Sequence, residues 1–471
     1  MSRFKGMISA ALAASLAAML AGCTLAPRYE RPSAPVPIEY GTATASNDAV
    51  AAADVGWREF FPDAELQDLI RRSLDNNRDL RIATLNVEAA RAQYRIRRSD
   101  LVPAVDAVGE ASNRRTPASV SPTGQSELTR GYTAGLGVTA FELDLFGRVR
   151  SLRRAALEDY FSVEENRTAA QLVLVSEVAN AWLTLIADQE LLELAQETRD
   201  SQRKSYDLTK LRFDQGVSSE IDLHRSETAW REAEVDIAAQ TRRVAQDRNA
   251  LALLVGEPLP AELGAGEHGV GAQTFAKELP AGLPAELLTR RPDVRAAEHA
   301  LRAANADIGA ARAAFFPSIS LTGFYGTASN DLSGLFDSGQ TSWSFTPQIR
   351  LPIFSGGANV ASLDLANVRK RIEVARYEQS IQSAFREVAD ALVARATFQD
   401  QIRAQEALTR ASEGSYRLAD MRYRGGVDSY LGALIAQRDL YTAQRALIET
   451  RLAGANNLVQ LYASLGGGWK E

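Results

Sequence analysis

Four segments of this chain alternate between apolar and polar residues with the two-residue period of a β-strand. The clearest covers residues 342–351, where Trp343, Phe345 and Ile349 are separated by serine, threonine and glutamine. About ten residues of such alternation fit either a strand that crosses a membrane with its apolar face outward or a strand of a soluble sheet with one face exposed to water. The predicted strands are about 103–113, which is the weakest, 132–143, 317–328 and 342–353.

Long stretches with apolar residues three and four positions apart predict unusually long helices. No glycine or proline occurs between Gly147 and Gly216 or between Gly357 and Gly414. At 1.5 Å per residue, helices of this size reach on the order of 80–100 Å. Gly216 and Gly426 supply the positive φ that a sharp turn needs, so each long helix is expected to fold back into a second, antiparallel one. The predicted long helices are about 148–214, 218–254, 358–424 and 429–464.

The chain is a tandem duplication, which becomes clear when the sequence is compared with itself. Shifted by 210 positions, Tyr206 falls on Tyr416 and Gly216 falls on Gly426. Each half has the same predicted plan: helix, strand, strand, very long helix, turn, helix. The predicted organisation is a signal peptide at 1–22, a lipid-anchored tether at 23–65, repeat 1 at 66–256, an equatorial linker at 257–284, repeat 2 at 285–467 and a tail at 468–471.

The N-terminus indicates an export signal that ends at a lipidation site. A basic start and an apolar run too short for a confident membrane span end in Leu20-Ala21-Gly22-Cys23. This ending is similar to the bacterial lipobox, in which the cysteine is lipidated and becomes the first residue of the mature chain. A plain secretory signal with an unrelated thiol is the alternative. Diacylglycerol and an N-acyl chain are therefore expected on Cys23, and Thr24 after it implies the outer membrane.

Composition narrows the possible classes of function. The chain has 53 Lys+Arg and 59 Asp+Glu, a net charge of −6, which argues against nucleic-acid binding because such proteins carry a basic patch or a high pI. Cys23 is the one cysteine, so neither an internal disulfide nor a cysteine-based zinc cluster is expected. The sequence has three histidines, none spaced with another as a metal pair, and it has no Gly-x-Ser-x-Gly, His-Glu-x-x-His or P-loop motif. We therefore expect no enzyme, no bound metal and no other cofactor.

Four membrane strands cannot close a barrel on their own. An open sheet edge in lipid leaves backbone groups unpaired at several kcal/mol each, and outer-membrane barrels need about eight strands. Two copies of the chain would give a narrow filled barrel, whereas three would give a twelve-stranded barrel wide enough for a pore. The four long amphipathic helices also need neighbours to bury their second faces, so we expect an oligomer.

Six short stretches, in order along the chain, carry a resemblance to a known family. They are Gly56-Trp57-Arg58-Glu59-Phe60-Phe61, Asn76-Asn77-Arg78-Asp79-Leu80-Arg81, Glu142-Leu143-Asp144-Leu145-Phe146-Gly147-Arg148, Arg290-Arg291-Pro292-Asp293, Ala311-Arg312-Ala313-Ala314-Phe315-Phe316-Pro317-Ser318-Ile319-Ser320-Leu321 and Arg422-Tyr423-Arg424-Gly425-Gly426-Val427-Asp428. With the duplicated plan, they resemble the TolC-type outer-membrane factors, in particular the lipidated multidrug-efflux branch typified by OprM. The resemblance covers essentially the whole mature chain.

The resemblance implies an α+β membrane protein built from a tandemly duplicated helix–β-hairpin–long-helix-hairpin repeat. It implies a homotrimer whose twelve-stranded β-barrel in the outer membrane is continued by a periplasmic α-helical barrel. Such a trimer is the exit duct of an inner-membrane RND transporter, reached through a periplasmic adaptor protein, and it passively conducts drugs or other toxic compounds. Outer-membrane lipid is the remaining expected partner. A non-channel periplasmic scaffold or adaptor lipoprotein, or a duct for metal or solvent efflux, is the alternative.

The resemblance also implies a gate at the turns between the long helices, at 212–225 and 422–435. Leu431 takes the position of an apolar ring, and Ile435 stands where close relatives often have an acidic residue. Ordinary solvated charges at a helix turn are the alternative to a gate, because a surface ion pair contributes about 0–1 kcal/mol. The implied charged links between neighbouring helices are Arg422, Arg424 and Asp428 in the second repeat and Arg212, Asp214, Glu220 and Asp222 in the first.

Overall fold

The computed structural model describes residues 24–37, 40, 54–260, 263–264, 269–273, 275 and 289–469. The expected signal peptide, Cys23, and parts of the expected tether and linker lie outside these residues. The described helices and strands, in chain order, are α1 (Trp57–Phe60), α2 (Ala64–Asn76), α3 (Arg78–Ser99), β1 (Asp106–Thr116), β2 (Glu127–Leu143), α4 (Arg148–Asp214), α5 (Glu220–Val255), α6 (Pro292–Ala313), β3 (Ser318–Ser329), β4 (Thr341–Arg350), α7 (Ala358–Arg424) and α8 (Tyr430–Ser464), with short 3₁₀ turns at Val270–Ala272 and Leu332–Gly334.

The chain divides into two compact units. The first contains the whole sheet, and the second contains both turns between long helices. Their bounds are Met1–Ser33, Asn86–Val163 and Ala296–Tyr377 for the first, and Ala34–Leu85, Glu164–Arg295 and Glu378–Glu471 for the second.

The four strands form one antiparallel sheet in the order β1-β2-β3-β4. The register pairs Tyr325 with both Leu136 and Trp343, so these three side chains lie on one face. That face is apolar and open, since Trp343 is 72% exposed. The sheet therefore has the two-faced pattern that a membrane strand requires. Its opposite face carries the polar β4 residues Ser342, Ser344, Thr346, Gln348 and Arg350.

Two glycines let β2 and β3 approach each other closely. Gly135 pairs with Gly326, and a Cβ on either would lie 2.4 Å or less from a backbone oxygen of the opposite strand. Any side chain there would push the strands apart. Further along β2, Ala140 has a φ of 52° at a bulge, where the register shifts between Val138 and Phe141. A bulge increases the local twist of a strand, so it bends β2.

Four strand ends lie three or more residues from the bounds expected from alternation. β1 is Asp106–Thr116 rather than about 103–113, because its ladder with β2 runs from the pair Asp106 and Gly137 to the pair Thr116 and Glu127. β2 begins at Glu127, not near 132, because its ladder with β1 continues to the pair Thr116 and Glu127. Backbone hydrogen bonds hold this outer part of the hairpin, and they need no apolar alternation. β4 ends at Arg350, not near 353, because Pro352 has no N–H to donate to a ladder.

The turn from β2 into α4 is fixed by Asp144. Its carboxylate accepts hydrogen bonds from the backbone N–H groups of Val149 at 3.1 Å and Arg150 at 2.8 Å, which caps the start of the helix. Gly147, with a φ of 76°, allows the sharp change of direction. This stretch, one of the six quoted above, therefore joins the sheet to the first long helix.

The two longest helices, α4 and α7, have 67 residues each, which corresponds to about 100 Å. Gly414 lies inside α7 without interrupting it. Among the described helices, α4 alone is long and apolar enough to cross a membrane, and more than half of its most apolar stretch is buried in protein. That burial is typical of a core helix.

The second unit has an aromatic core that includes residues 55–61. Phe60 stacks on Tyr462 with 4.0 Å between ring centres, and Phe61 meets the same ring edge-on. The Tyr462 hydroxyl donates to the carbonyl of Val55 at 2.7 Å. The fully buried Trp57 completes this region, so the aromatic stretch near the N-terminus is tied to the last helix of the chain.

A buried arginine also stabilises the second unit. Arg291 pairs with Asp293 at 2.6 Å and with Glu387 at 2.8 Å, and it donates to the carbonyl of Ser464 at 3.0 Å. Its side chain is only 10% exposed. One guanidinium therefore connects the start of α6, the middle of α7 and the end of α8.

Candidate functional site at the helix turns

The turns α4–α5 and α7–α8 have the same backbone geometry. In the first, the N–H of Val217 donates to the carbonyl of Arg212 at 2.8 Å; in the second, the N–H of Val427 donates to that of Arg422 at 2.9 Å. The glycine before each valine has a φ of 77° in the first turn and 73° in the second. Both long helices thus end in the glycine-dependent Schellman arrangement, which explains the repeated Gly-Val pair.

The first turn holds the second through Arg212. Its two terminal nitrogens donate to the backbone carbonyls of Tyr423 at 3.3 Å and Arg424 at 3.1 Å. Its guanidinium also lies 4.6 Å from the centre of the Tyr423 ring, within the range of a cation–π interaction. Arg212 therefore links the end of α4 to the end of α7.

A buried hydrogen bond lies beside this link. The hydroxyls of Thr209 and Tyr423 are 2.9 Å apart, and Thr209 is 0% exposed. Thr209 donates its one hydroxyl hydrogen to the carbonyl of Ser205, so the Tyr423 hydroxyl is the donor to Thr209. Arg212, Thr209 and Tyr423 together are called the turn latch below.

Apolar packing supports the turn latch from α8. The ring centres of Tyr423 and Tyr430 are 5.3 Å apart, and Ala433 completes a small buried cluster against Leu208 and Leu434. Burial, and then the nearby Tyr423, raises the pKa of Tyr430 above its ordinary value. The turn latch therefore lies against a buried aromatic contact between α7 and α8.

The other predicted charges pair locally. Arg422 binds Asp428 through two hydrogen bonds, of 2.5 and 3.1 Å, which join the end of α7 to the turn that follows it. The hydrogen bond from Arg422 lowers the pKa of Asp428. Side chains three or four residues apart on one helix are natural partners, and the remaining charges follow that rule. These pairs are Arg424 with Asp420, Asp214 with Lys210, Glu220 with His224 and Asp222 with Arg225.

The expected apolar ring residue lies on the exposed side of the second turn. Leu431 is 40% exposed and Ile435 is 50% exposed, and they lie one helical turn apart on one face of α8. Val427, in the turn itself, is also exposed. An apolar strip rather than an acidic one therefore begins at this turn.

A search of the sequence for charged residues does not find three residues of this site, Thr209, Tyr423 and Tyr430. They carry no charge, and no helical or strand period in the sequence marks them as partners. Tyr423 does lie inside one of the six stretches that carry the family resemblance, which is the available signal. Farther from the turn, Trp230 stacks with Tyr206 at 5.4 Å between ring centres.

The site holds the two turns together. It offers a guanidinium, hydroxyls and apolar contacts. Among the described residues, no group of three or more His, Cys, Asp or Glu side chains could hold a metal ion. Cys23 lies outside the described residues, so its lipidation remains a prediction.

Comparisons with known proteins agree with this fold. The outer membrane efflux protein family matches residues 69–257 and 283–467. The chain is 51% identical over 471 residues to the probable efflux pump outer membrane protein TtgC of Pseudomonas putida, covering 99% of this chain and 96% of that protein. It is 44% identical over 456 residues to the outer membrane protein OprJ of Pseudomonas aeruginosa, with 97% and 95% covered.

A solved structure extends the match to the whole fold. The open state of the MtrE outer membrane channel of Neisseria gonorrhoeae superimposes with a TM-score of 0.87 at 42% identity, covering 95% of this chain and 99% of that one. The family resemblance, the fold class and the outer-membrane location expected from the sequence are thus confirmed. The chain belongs to the outer membrane efflux protein family.

Proposed function

We propose that three copies of this chain form the exit duct of a tripartite RND-type efflux pump, which conducts toxic compounds passively across the outer membrane. The observation that carries this proposal is the four-stranded sheet with one exposed apolar face, in a chain that also has helices of 67 residues. The relatives named above are outer membrane proteins of efflux pumps and an outer membrane channel. We propose no catalytic step.

The open edges of the sheet support a homotrimer. Within the described part of the chain, β1 and β4 each pair on one side only. In lipid, such edges must be paired, because each unpaired backbone group costs several kcal/mol. Three copies joined β4 to β1 give twelve strands, with the face of Trp343 toward lipid and the face of Ser344 toward water.

An energy source must come from a partner. The sequence has no P-loop, and the exit duct itself needs only a water-filled path. We therefore propose an inner-membrane RND transporter as the motor and a periplasmic adaptor protein as the connection. The adaptor is proposed to act at the helix turns, where the turn latch holds the second turn against the first.

The helix turns are proposed as the gate. With threefold symmetry, the exposed face of α8 brings three copies of Leu431 and Ile435 together around the axis. A ring of apolar side chains excludes water and ions by dewetting. The turn latch keeps the ring narrow, and its release lets the second turn move outward.

The lipid anchor remains part of the proposal. Cys23, after Leu20-Ala21-Gly22, is proposed to carry diacylglycerol and an N-acyl chain. Several acyl chains anchor firmly at about 0.8 kcal/mol per buried CH₂. The barrel would provide a second, independent attachment to the membrane.

Two neighbouring residues on opposite faces of β4 allow a matched test. Trp343→Arg places a charge on the proposed lipid face in each of the three copies, at a cost that reaches about 2–4 kcal/mol per arginine at mid-membrane and is smaller near the interfaces, and Ser344→Arg places the same charge on the proposed water face. We expect wild type and Ser344→Arg to form heat-resistant trimers on unboiled gels and conducting channels in planar bilayers. Trp343→Arg should lose both. Equal behaviour of the two variants would favour a soluble sheet and a non-channel scaffold.

The proposed cargo is organic rather than ionic. A 51% identical relative is named as the outer membrane protein of a toluene efflux pump. We propose that apolar toxic compounds, including solvents and drugs, pass through this duct. Deletion of the chain in its native cell should lower survival in toluene and leave survival in copper unchanged. The opposite result would favour metal efflux.

A further inference from the structure

The N-terminal segment 24–33, called the strap here, lies along one face of α6 in the first compact unit. The α6 residues that meet it are spaced four, three, four and three positions apart, which places them on a single helix face. This face is called the track. Its residues are Glu298, Arg302, Asn305, Gly309 and Arg312.

The C-terminal half of the track binds the backbone of the strap. Arg312 donates to the carbonyl of Leu25 at 3.1 Å, and Asn305 donates to the carbonyl of Pro27 at 2.8 Å. Between them, a Cβ on Gly309 would lie 2.7 Å from a strap nitrogen, so glycine is what lets the strap lie this close. These contacts fix the position of the strap mainly through its backbone atoms rather than through its side chains.

At the N-terminal end of the track, the carboxylate of Glu298 accepts four hydrogen bonds. Glu298 and its three partners, Tyr29, Arg31 and Arg302, are called the Glu298 clamp. Glu298, whose side chain is 6% exposed, accepts two hydrogen bonds from Arg31, both of 2.9 Å. It also accepts one from the Tyr29 hydroxyl at 3.0 Å and one from Arg302 at 2.8 Å. A bidentate pair of arginine and carboxylate is among the stronger polar contacts in proteins.

Electrostatics favour this clamp at neutral pH. Burial alone disfavours a charged carboxylate, but the hydrogen bond from Arg31 and the charge of Arg302 hold the pKa of Glu298 below its ordinary value. Burial, and then the charge of Glu298, raises the pKa of Tyr29 to about 12. The clamp is therefore an ionised carboxylate that two cations and a neutral phenol surround.

The contacts at the two ends of the strap give its direction along α6. Leu25 lies at Arg312, near the end of α6, whereas Arg31 lies at Glu298, near its start. The strap therefore runs antiparallel to α6, and its first residues lie at the end of α6 that leads into β3.

We propose that the track is a docking surface for the chain's own N-terminal strap, and that the Glu298 clamp near the start of α6 locks the strap in place, so that the residues that follow Cys23 are held at the sheet end of α6. A pull on the N-terminus is then delivered to α6, which leads directly into β3. The proposal does not depend on the cargo or on the gate. It predicts that the strap detaches as a unit when the clamp is broken.

Proteolysis of the purified full-length protein tests this. Trypsin cleaves the Arg28–Tyr29 bond only when the strap is detached, so the rate reports the detached population. We expect Glu298→Gln and Arg31→Gln each to raise this rate about tenfold or more. The double variant should be cleaved no faster than the faster single variant, because both changes remove one interaction.

Two controls show whether the change in cleavage rate is specific to the Glu298 clamp. Glu30→Gln changes an exposed strap residue and should leave the rate within about twofold of wild type. Cleavage of the Arg424–Gly425 bond in the same digests should not change. Arg31 lies outside every helix, so its replacement does not threaten the fold of α6. A wild-type rate for Arg31→Gln, or an equal increase for Glu30→Gln, would overturn the proposal.

Discussion

Replacing Tyr423 by phenylalanine should open the proposed gate while leaving its shape almost unchanged. The substitution removes one hydroxyl, which lies 2.9 Å from the Thr209 hydroxyl at a fully buried position. The ring stays and keeps its contacts with the Arg212 guanidinium and with Tyr430. Any change in gating therefore reports the hydrogen bond between α4 and α7.

The size of the effect follows from the kind of bond that is lost. A neutral intramolecular hydrogen bond contributes about 0.5–1.5 kcal/mol net, and about 1.4 kcal/mol is a factor of ten in an equilibrium constant. The open-to-closed ratio should thus rise about two- to tenfold per protomer. If the three turns of a trimer open together, the three contributions add and the increase is correspondingly larger.

Single-channel recording in planar bilayers measures this ratio directly. Tyr441→Phe is the matched control, because its hydroxyl also joins α8 to α5, by a 3.3 Å hydrogen bond to Asp236, but lies 11 residues after the first residue of α8. We expect Tyr423→Phe to be open more often and Tyr441→Phe to behave as wild type. If neither variant differs from wild type while both remain trimeric, the Tyr423 hydroxyl does not hold the gate.

Further predictions can be tested; those at Leu431 and Arg291 come from the structure, and the one at Cys23 comes from the sequence. Leu431→Ala should widen the apolar ring, so bilayers should show a higher resting conductance and cells should admit vancomycin; wild-type conductance in a trimeric variant would make Leu431 a packing residue. Labelled palmitate should enter wild type and not Cys23→Ser, and equal labelling would exclude lipidation there. Arg291→Met leaves the buried carbonyl of Ser464 without its donor and should cost about 1–3 kcal/mol in unfolding experiments, whereas Arg290→Met, whose partner Asp54 is exposed, should cost less.

Features that depend on neighbours in sequence could be predicted from the sequence. The long helices end at Gly216 and Gly426 because a left-handed residue is needed there, and the absence of earlier glycine or proline keeps α4 continuous. Alternation across β4 places Trp343 and Ser344 on opposite faces in any register. These are local rules, so one sequence is enough to apply them.

Features that depend on distant residues could not be predicted in this way. The strap has a proline-containing sequence that indicates only an extended tether, yet Arg31 binds a carboxylate 267 positions away. The Tyr423 hydroxyl finds Thr209 at a separation of 214 residues. Each contact joins elements that only the folded chain brings together, and neither partner carries a periodic signal. The charged residues of the turns were expected to link neighbouring helices, but most of them pair within their own helix.

Duplication has produced two turns with one backbone and two different sets of side chains. In the first hairpin, the guanidiniums of Arg203 and Arg231 lie 4.2 and 3.7 Å from the centre of the Trp230 ring on α5. The shift of 210 residues places Leu440 at the matching position of the second hairpin, and leucine offers no π-face to a cation. The first hairpin therefore has a brace between α4 and α5 that the second lacks, and the second is held by Arg212 of the first. Loss of the Trp230 ring should loosen the support itself, whereas loss of the Arg212 guanidinium should free the second turn from an intact support.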